Sequence, residues 1–238
     1  MLPRAITFDV GGTLIQPWPS VGHVYAEVAG RSGHKEISPE RLNTQFAAAW
    51  KRRQAFDYSR TAWQGLVKET FAGTRVEPVT ESFFDALYQR FAQPDVWRVF
   101  DDVLVTLEQL KRLSVRLGII SNWDERLRPL LGALKLAPLF EAIAISHEVG
   151  HTKPAGGIFR QAAQALQLPA EAILHVGDSN EEDFHGARAA GFEALLLSRR
   201  SFGESAGEIN SLAALASRLM LNDTTHAESQ RCSQRPSR

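Results

Sequence analysis

Asp9 closes a short β-rich run, Ala5-Ile6-Thr7-Phe8, and leads into Gly11-Gly12-Thr13. Paired glycines allow a sharp turn and a close approach of backbone to a bound group. Ser121 and Asn122 close a second apolar run at 115–120, and Lys153 stands before Pro154 in a polar loop. Asp178 closes a third run at 173–177, with Asp183 at the start of the next helical pattern. Asp9, Asp178 and Asp183 can hold Mg²⁺, a hard cation that takes a few carboxylates together with waters and a substrate phosphate. A serine hydroxyl, a backbone amide and a lysine ammonium are the donors that charged phosphoryl oxygens need. With its negative field offset by a metal and Lys153, Asp9 can act as a carboxylate nucleophile. Taken singly, each residue has a structural explanation. Lys153 could be a surface lysine, Ser121 a turn residue, Ser179 with Glu182 a capping box, and Asp183 a helix-start acid favoured by the dipole. Their coincidence points to a site.

To act together, these residues must reach one edge of one sheet. Apolar runs at 4–9, 115–120, 142–145, 173–176 and 194–197 read as strands, the run at 194–197 being the last. Helical patterns near 101–113, 125–134, 156–167 and from Asp183 to about 190 separate them. Alternating units of this length predict an α/β fold, a Rossmann-like parallel sheet with helices on both faces. Open sheets of this kind place ligand chemistry at the carboxyl ends of their strands.

Between Gln16 and Asp95 the pattern changes. Val21, Val24, Tyr25 and Val28 keep helical spacing, as do Leu42, Phe46 and Trp50 after the Ser38-Pro39-Glu40 helix start. Trp63, Leu66, Val67, Thr70 and Phe71 repeat the stripe, and Phe84, Leu87, Tyr88 and Phe91 do so again. These predict an inserted α-helical bundle of four amphipathic helices, with the aromatic stripes as its core. The expected division is a discontinuous α/β unit of residues 1–16 and 96–221, a helical unit of 17–95, and a disordered polar tail of 222–238. Leu14–Trp18 and Pro94–Trp97 are the expected hinges, since both carry proline where composition changes.

Composition narrows the function classes. The chain has 238 residues, 44% hydrophobic and 23% charged, with Lys+Arg and Asp+Glu both at 27. That balance draws it neither to nucleic acid nor to a membrane surface. A single cysteine, Cys232, rules out an internal disulfide and suits a reducing compartment. The opening residues lack a secretory pattern and no run is long enough to span a bilayer, so a cytoplasmic protein is expected. His147-Glu148-Val149-Gly150-His151 formally matches the zinc-peptidase pattern H-E-x-x-H. That pattern works only on a helix, which Gly150 and Pro154 disfavour here.

Asp9-x-x-Gly12-Thr13, the Ser121 strand end, Lys153-Pro154 and Gly177-Asp178-Ser179 with Asp183 together resemble the four motifs of the haloacid dehalogenase superfamily. The helical insertion resembles that superfamily's C1 cap. Residues Ile120 to Leu127 look most like the branch containing haloacid dehalogenase-like hydrolase domain-containing protein 3. The resemblance implies Asp9 as the phosphorylated nucleophile, Ser121 and Lys153 as phosphate and charge ligands, and Asp178 and Asp183 as Mg²⁺ ligands. The candidate site is therefore Asp9 and Lys153 for catalysis, with Gly12, Thr13, Ser121, Asn122 and Lys153 for phosphate. Its metal set is Asp9, Asp178, Asp183 and the backbone carbonyl of Gly11.

One position departs from that pattern. Phosphatases of the superfamily usually carry a second aspartate two residues after the nucleophile, acting as acid and then base; Gly11 stands there. General acid–base help is worth about 10²–10⁴ in rate. The expected activity is thus a Mg²⁺-dependent phosphatase acting on a small phosphorylated molecule through an aspartyl phosphate, slow or limited to easy leaving groups. The alternative is a catalytically impaired relative that binds a phosphorylated ligand or a protein partner. A true dehalogenase fits less well, since such enzymes use no Mg²⁺ while Gly177-Asp178 is retained.

Overall fold

The computed structural model describes residues 2–199, 207–215 and 217–219. Cys232 and the tail expected at 222–238 lie outside them. In chain order come β1 (Ala5–Phe8), β2 (Ile15–Pro17), α1 (Val21–Arg31), α2 (Pro39–Arg52), α3 (Arg60–Phe71) and α4 (Glu81–Arg90). Next are β3 (Trp97–Val99), α5 (Val103–Arg112), β4 (Arg116–Ser121), α6 (Leu127–Ala133), β5 (Ala142–Ile145), α7 (Ser146–Val149) and α8 (Gly156–Leu166). The chain continues with β6 (Ile173–Gly177), a π-helical turn at Asn180–His185, α9 (Gly186–Ala189), β7 (Glu193–Leu197) and β8 (Glu208–Ile209).

Six strands form a parallel sheet in the order β5-β4-β1-β6-β7-β8. β1 is completely buried, and its residues alternate between two cores as a strand's period of two requires. Ile6 and Phe8 join Leu107, Leu117 and Leu130 on one face, and Ala5 joins Ile158, Phe159 and Ala162 on the other. Phe8 pairs with Ile119 of β4 and with Val176 of β6. Asp9 is thereby set between the ends of two neighbouring strands. From β1 the chain first builds outward through β4 and β5, then crosses to β6 on the opposite side. That reversal makes a crevice at the strand ends, where open sheets bind ligands.

The α/β class and the inserted four-helix bundle follow the sequence closely. Ser20, Ser38, Ser59 and Thr80 each accept a hydrogen bond from a backbone N–H of the first turn they precede, contacts worth about 1 kcal/mol apiece. Tyr25, Leu42, Phe71, Phe84 and Leu87 form a core of their own between the helices. Two strand expectations need correction. The run at 194–197 is not the last strand, because β8 pairs beyond it through Leu196 and Leu197. The two expected hinge segments also pair with one another, Ile15 with Val99 and Pro17 with Trp97, as an antiparallel ribbon. Among the described residues, no helix is long and apolar enough to cross a membrane.

Candidate active site

Asp9, Ser121, Gly177 and Asp178 come together because β4, β1 and β6 are adjacent and in register. Ser121 donates its hydroxyl to Asp9 Oδ1 at 3.1 Å, and the Lys153 ammonium donates to the same oxygen at 2.6 Å. Among the described residues no hydrogen bond reaches Asp9 Oδ2. Lys153, buried to 3% exposure, also donates to Asp183 Oδ1. Asp183 Oδ2 accepts the Ser179 backbone N–H at 2.9 Å. The π-helical turn places Asp183 there. The backbone N–H groups of Asp183 and Phe184 both bond to Ser179 O, which widens the turn in the manner common at functional sites.

Asp9, Asp178 and Asp183 each bring one carboxylate oxygen within 4.8 Å of the others. Only one ammonium, that of Lys153, is bonded among them, so the cluster carries a formal excess of two negative charges. Titration reflects this crowding. Burial raises the Asp9 carboxyl above its ordinary range, against the pull of Lys153. Asp178 keeps an exposed edge, but partial removal of its carboxyl from solvent and the charges of Asp9 and Asp183 push it up to about 7. Burial opposes ionisation of Asp183 too, but there Lys153 and His175 prevail and hold it well below the usual range. Burial would lower Lys153; the Asp183 and Asp9 carboxylates outweigh it and keep the ammonium charged.

Glycines make the close approach possible. Gly12 has φ 79°, and a Cβ there would fall 2.3 Å from Asp178 Oδ2. A Cβ on Gly177 would fall 2.2 Å from Asp183 Cγ. The left-handed backbone belongs to Gly12 and not to Gly11.

The remaining candidates are placed differently. The Asn122 carboxamide is committed to its neighbours: Oδ1 accepts Lys153 N–H at 2.6 Å, while Nδ2 donates to Lys153 O and to Glu182. It clamps the loop that carries Lys153. Thr13 is fully buried, its hydroxyl has no partner among the described residues, and its carbonyl accepts from Arg199 at 2.7 Å. Ser179 caps Glu182 N–H as a capping box would, but the Glu182 carboxylate turns away to accept from Tyr58 of the insertion at 3.0 Å. His147 and Glu148 lie on the single helical turn of α7, which ends at Gly150 with φ 74° before His151 is reached. Glu148 is paired with Arg128. Among the described residues, the Asp9, Asp178 and Asp183 cluster is the one group of three or more His, Cys, Asp or Glu side chains suited to a metal.

Two participants were missed in the sequence. His175, fully buried in β6, donates Nε2–H to Asp183 Oδ1 at 3.1 Å and bonds Thr7 through Nδ1 at 2.9 Å. A polar residue inside an apolar run was the available signal. The second is the aromatic wall. A cavity of about 530 Å³ runs from Asp9, Gly11, Ser121 and Asp178 into the insertion, where Trp50, Tyr58, Trp63 and Tyr88 line it. The stripes expected to be bundle core thus also form a cavity wall.

Residues 3–191 match the family model of haloacid dehalogenase-like hydrolases, and the chain belongs to that family. It is similar to haloacid dehalogenase-like hydrolase domain-containing protein 3 of Danio rerio, with 32% identity over 209 residues, covering 83% of this chain and 86% of that protein. The same protein of Homo sapiens is 32% identical over 206 residues, covering 82% and 81%. This is the branch to which Ile120–Leu127 pointed. Among solved structures, the L-2-haloacid dehalogenase RSc1362 superposes with a TM-score of 0.74 at 19% identity, covering 92% of this chain and all of that one. That likeness speaks to fold alone.

Proposed function

We propose that the chain is a Mg²⁺-dependent phosphohydrolase that forms an aspartyl phosphate on Asp9, with helices α1–α4 as a cap over the site. The observation that carries this reading is the cluster's charge. Three carboxylates gather within a few ångströms and two of them share one ammonium, and a divalent cation balances the excess. Asp9, Asp178, Asp183 and the Gly11 carbonyl would hold it, and when bound it supplies charge neutralisation for the nucleophile and for phosphoryl oxygens.

The chain's own residues do the rest. Ser121 and Lys153 both bond Asp9 Oδ1, which leaves Oδ2 to attack phosphorus. Lys153, held charged, offsets the charge that develops on the phosphoryl oxygens. The bond from phosphorus to the ester oxygen breaks, and that oxygen departs with its electron pair. Water then cleaves the Asp9–phosphate bond, regenerating the carboxylate and releasing phosphate. No side chain at position 11 donates a proton to the leaving group. Gly11 is also what favours the second reading, a relative that binds phosphorylated ligands without turning them over. Phosphate release from acetyl phosphate and aryl phosphates, with Mg²⁺ and with a chelator, separates the two. The enzyme reading requires Mg²⁺-dependent release that Asp9→Asn abolishes.

A further inference from the structure

We infer that the substrate is the phosphate monoester of a planar aromatic alcohol, an inference that rests on the phosphohydrolase reading and names its substrate class. Two features of the site converge on it. The first is the character of the cavity beyond Asp9. Trp50 and Trp63 stack with centroids 5.9 Å apart and planes 19° apart, while Trp97 and Trp123 flank the core side with centroids 5.2 Å apart. All four line the cavity, and none is fully buried by the protein. Arg53 covers part of the Trp50 ring, but the wall these residues give the cavity is aromatic, and flat aromatic walls favour a flat aromatic guest.

Charge reinforces the argument. Besides the acidic cluster with its lysine, the cavity wall carries two cations, Arg53 and Arg126. Arg53 lies 3.7 Å over the Trp50 ring and 3.8 Å from Glu182. Arg126 lies 3.5 Å over the Tyr88 ring and 2.6 Å from Asp124. Each already faces a carboxylate, so a second anionic group, as on a phosphorylated hydroxy acid, a sugar bisphosphate or a nucleoside diphosphate, would compete with Glu182 or Asp124 for them, which disfavours it.

The second feature is Gly11. With no acid at position 11 to protonate it, the leaving oxygen departs as an anion, and a phenolate carries that charge far better than an alkoxide. In balance, Asp9 Oδ2 bonds phosphorus, the P–O(aryl) bond breaks and the phenolate takes the electron pair and later a solvent proton. Water then hydrolyses the aspartyl phosphate to carboxylate and inorganic phosphate. The cavity asks for a ring, and the missing acid asks for the same ring's leaving ability.

The test uses the full chain with Mg²⁺ and three esters: acetyl phosphate, phenyl phosphate and 2-naphthyl phosphate. Acetyl phosphate has a good leaving group but no ring, while the two aryl esters differ in ring area with similar leaving groups. The proposal expects KM to fall about tenfold or more from acetyl to 2-naphthyl phosphate, the scale of one stacked ring. Trp63→Leu, or Trp50→Leu should that variant not fold, should raise KM for 2-naphthyl phosphate by a similar factor, about tenfold more than any change it makes for acetyl phosphate. Equal KM across the three esters, with Mg²⁺-dependent turnover intact, overturns the substrate class and spares the phosphohydrolase reading. If no ester turns over, the phosphohydrolase reading fails. The aromatic preference is then read from tryptophan fluorescence on adding 2-naphthylmethylphosphonate or methylphosphonate. Binding at least about tenfold tighter for the naphthyl ligand supports the preference, and equal binding overturns it.

Discussion

The indole of Trp123 covers the place where a side chain on Gly11 would begin: a Cβ built on Gly11 lies 3.2 Å from Trp123 Cζ3. Backbone conformation does not keep residue 11 a glycine, because the left-handed residue of the turn is Gly12. Space does. The same tryptophan lies against Trp97, so the absence of an acid and the aromatic wall are parts of one arrangement.

Gly11→Asp should therefore fold but pack tightly, losing about 1–3 kcal/mol in denaturant titration, as overpacked positions do. Its kcat for alkyl phosphates should rise only modestly. In Gly11→Asp with Trp123→Ala the acid has room, and that gain should approach the 10²–10⁴ range of general acid catalysis. Steady-state rates on an alkyl and an aryl phosphate check both statements.

Metal binding should depend on pH through Asp178. Its folded value of about 7 lies above the ordinary 3.8, so between these values the native site holds a proton that the unfolded chain lacks. Stability from this proton is present at low pH and lost as pH rises through about 7. Asp183 is held low and stays ionised across that window. A cation must displace the Asp178 proton, so apparent Mg²⁺ affinity should weaken by up to about tenfold per pH unit below 7. The Mg²⁺-induced rise in Tm should be larger at pH 8 than at pH 6, and Asp178→Asn should remove both the rise and its pH dependence. Thermal melts across pH and Mg²⁺ concentration make the measurement.

His175 joins Asp183 to Thr7 in the interior of the sheet. His175→Leu strands the Thr7 hydroxyl and removes one of the three hydrogen bonds that hold the Asp183 carboxylate, at a cost of about 1–3 kcal/mol for the buried groups left unpaired. Mg²⁺ affinity should fall about 10–100-fold, as when a residue supporting metal ligands is lost. Urea unfolding and calorimetric Mg²⁺ titration report the two effects separately.

The parts of the site legible in the sequence are those that break a local pattern. Asp9, Ser121 and Asp178 are polar endings on apolar runs, and the order of the strands then brings them together. Lys153 stood out through its Pro154 neighbour and its place after a strand. His175 was read as part of an apolar run, because its partners Thr7 and Asp183 are far away or on another element. Glu182 fits a capping box so well that its reach to Tyr58 of the insertion was invisible. The aromatic stripes illustrate a general limit. Helical spacing shows which face is apolar, but a face against another helix and a face against a cavity have the same period. β2 and β3 are three residues each and β8 is two, too short for alternation to register.

Asp9 should be phosphorylated in turnover and, without a base at position 11, should release that phosphate slowly. A rapid-quench experiment with an aryl phosphate and Mg²⁺ tests it most directly, following phenolate release in milliseconds and the mass of the Asp9 peptide in parallel. A burst approaching one phenolate per active site is expected, with a phosphate on Asp9 that accumulates alongside it, and neither in Asp9→Asn. Phenolate release that is linear from the first turnover, with no phosphate on the Asp9 peptide, would contradict it.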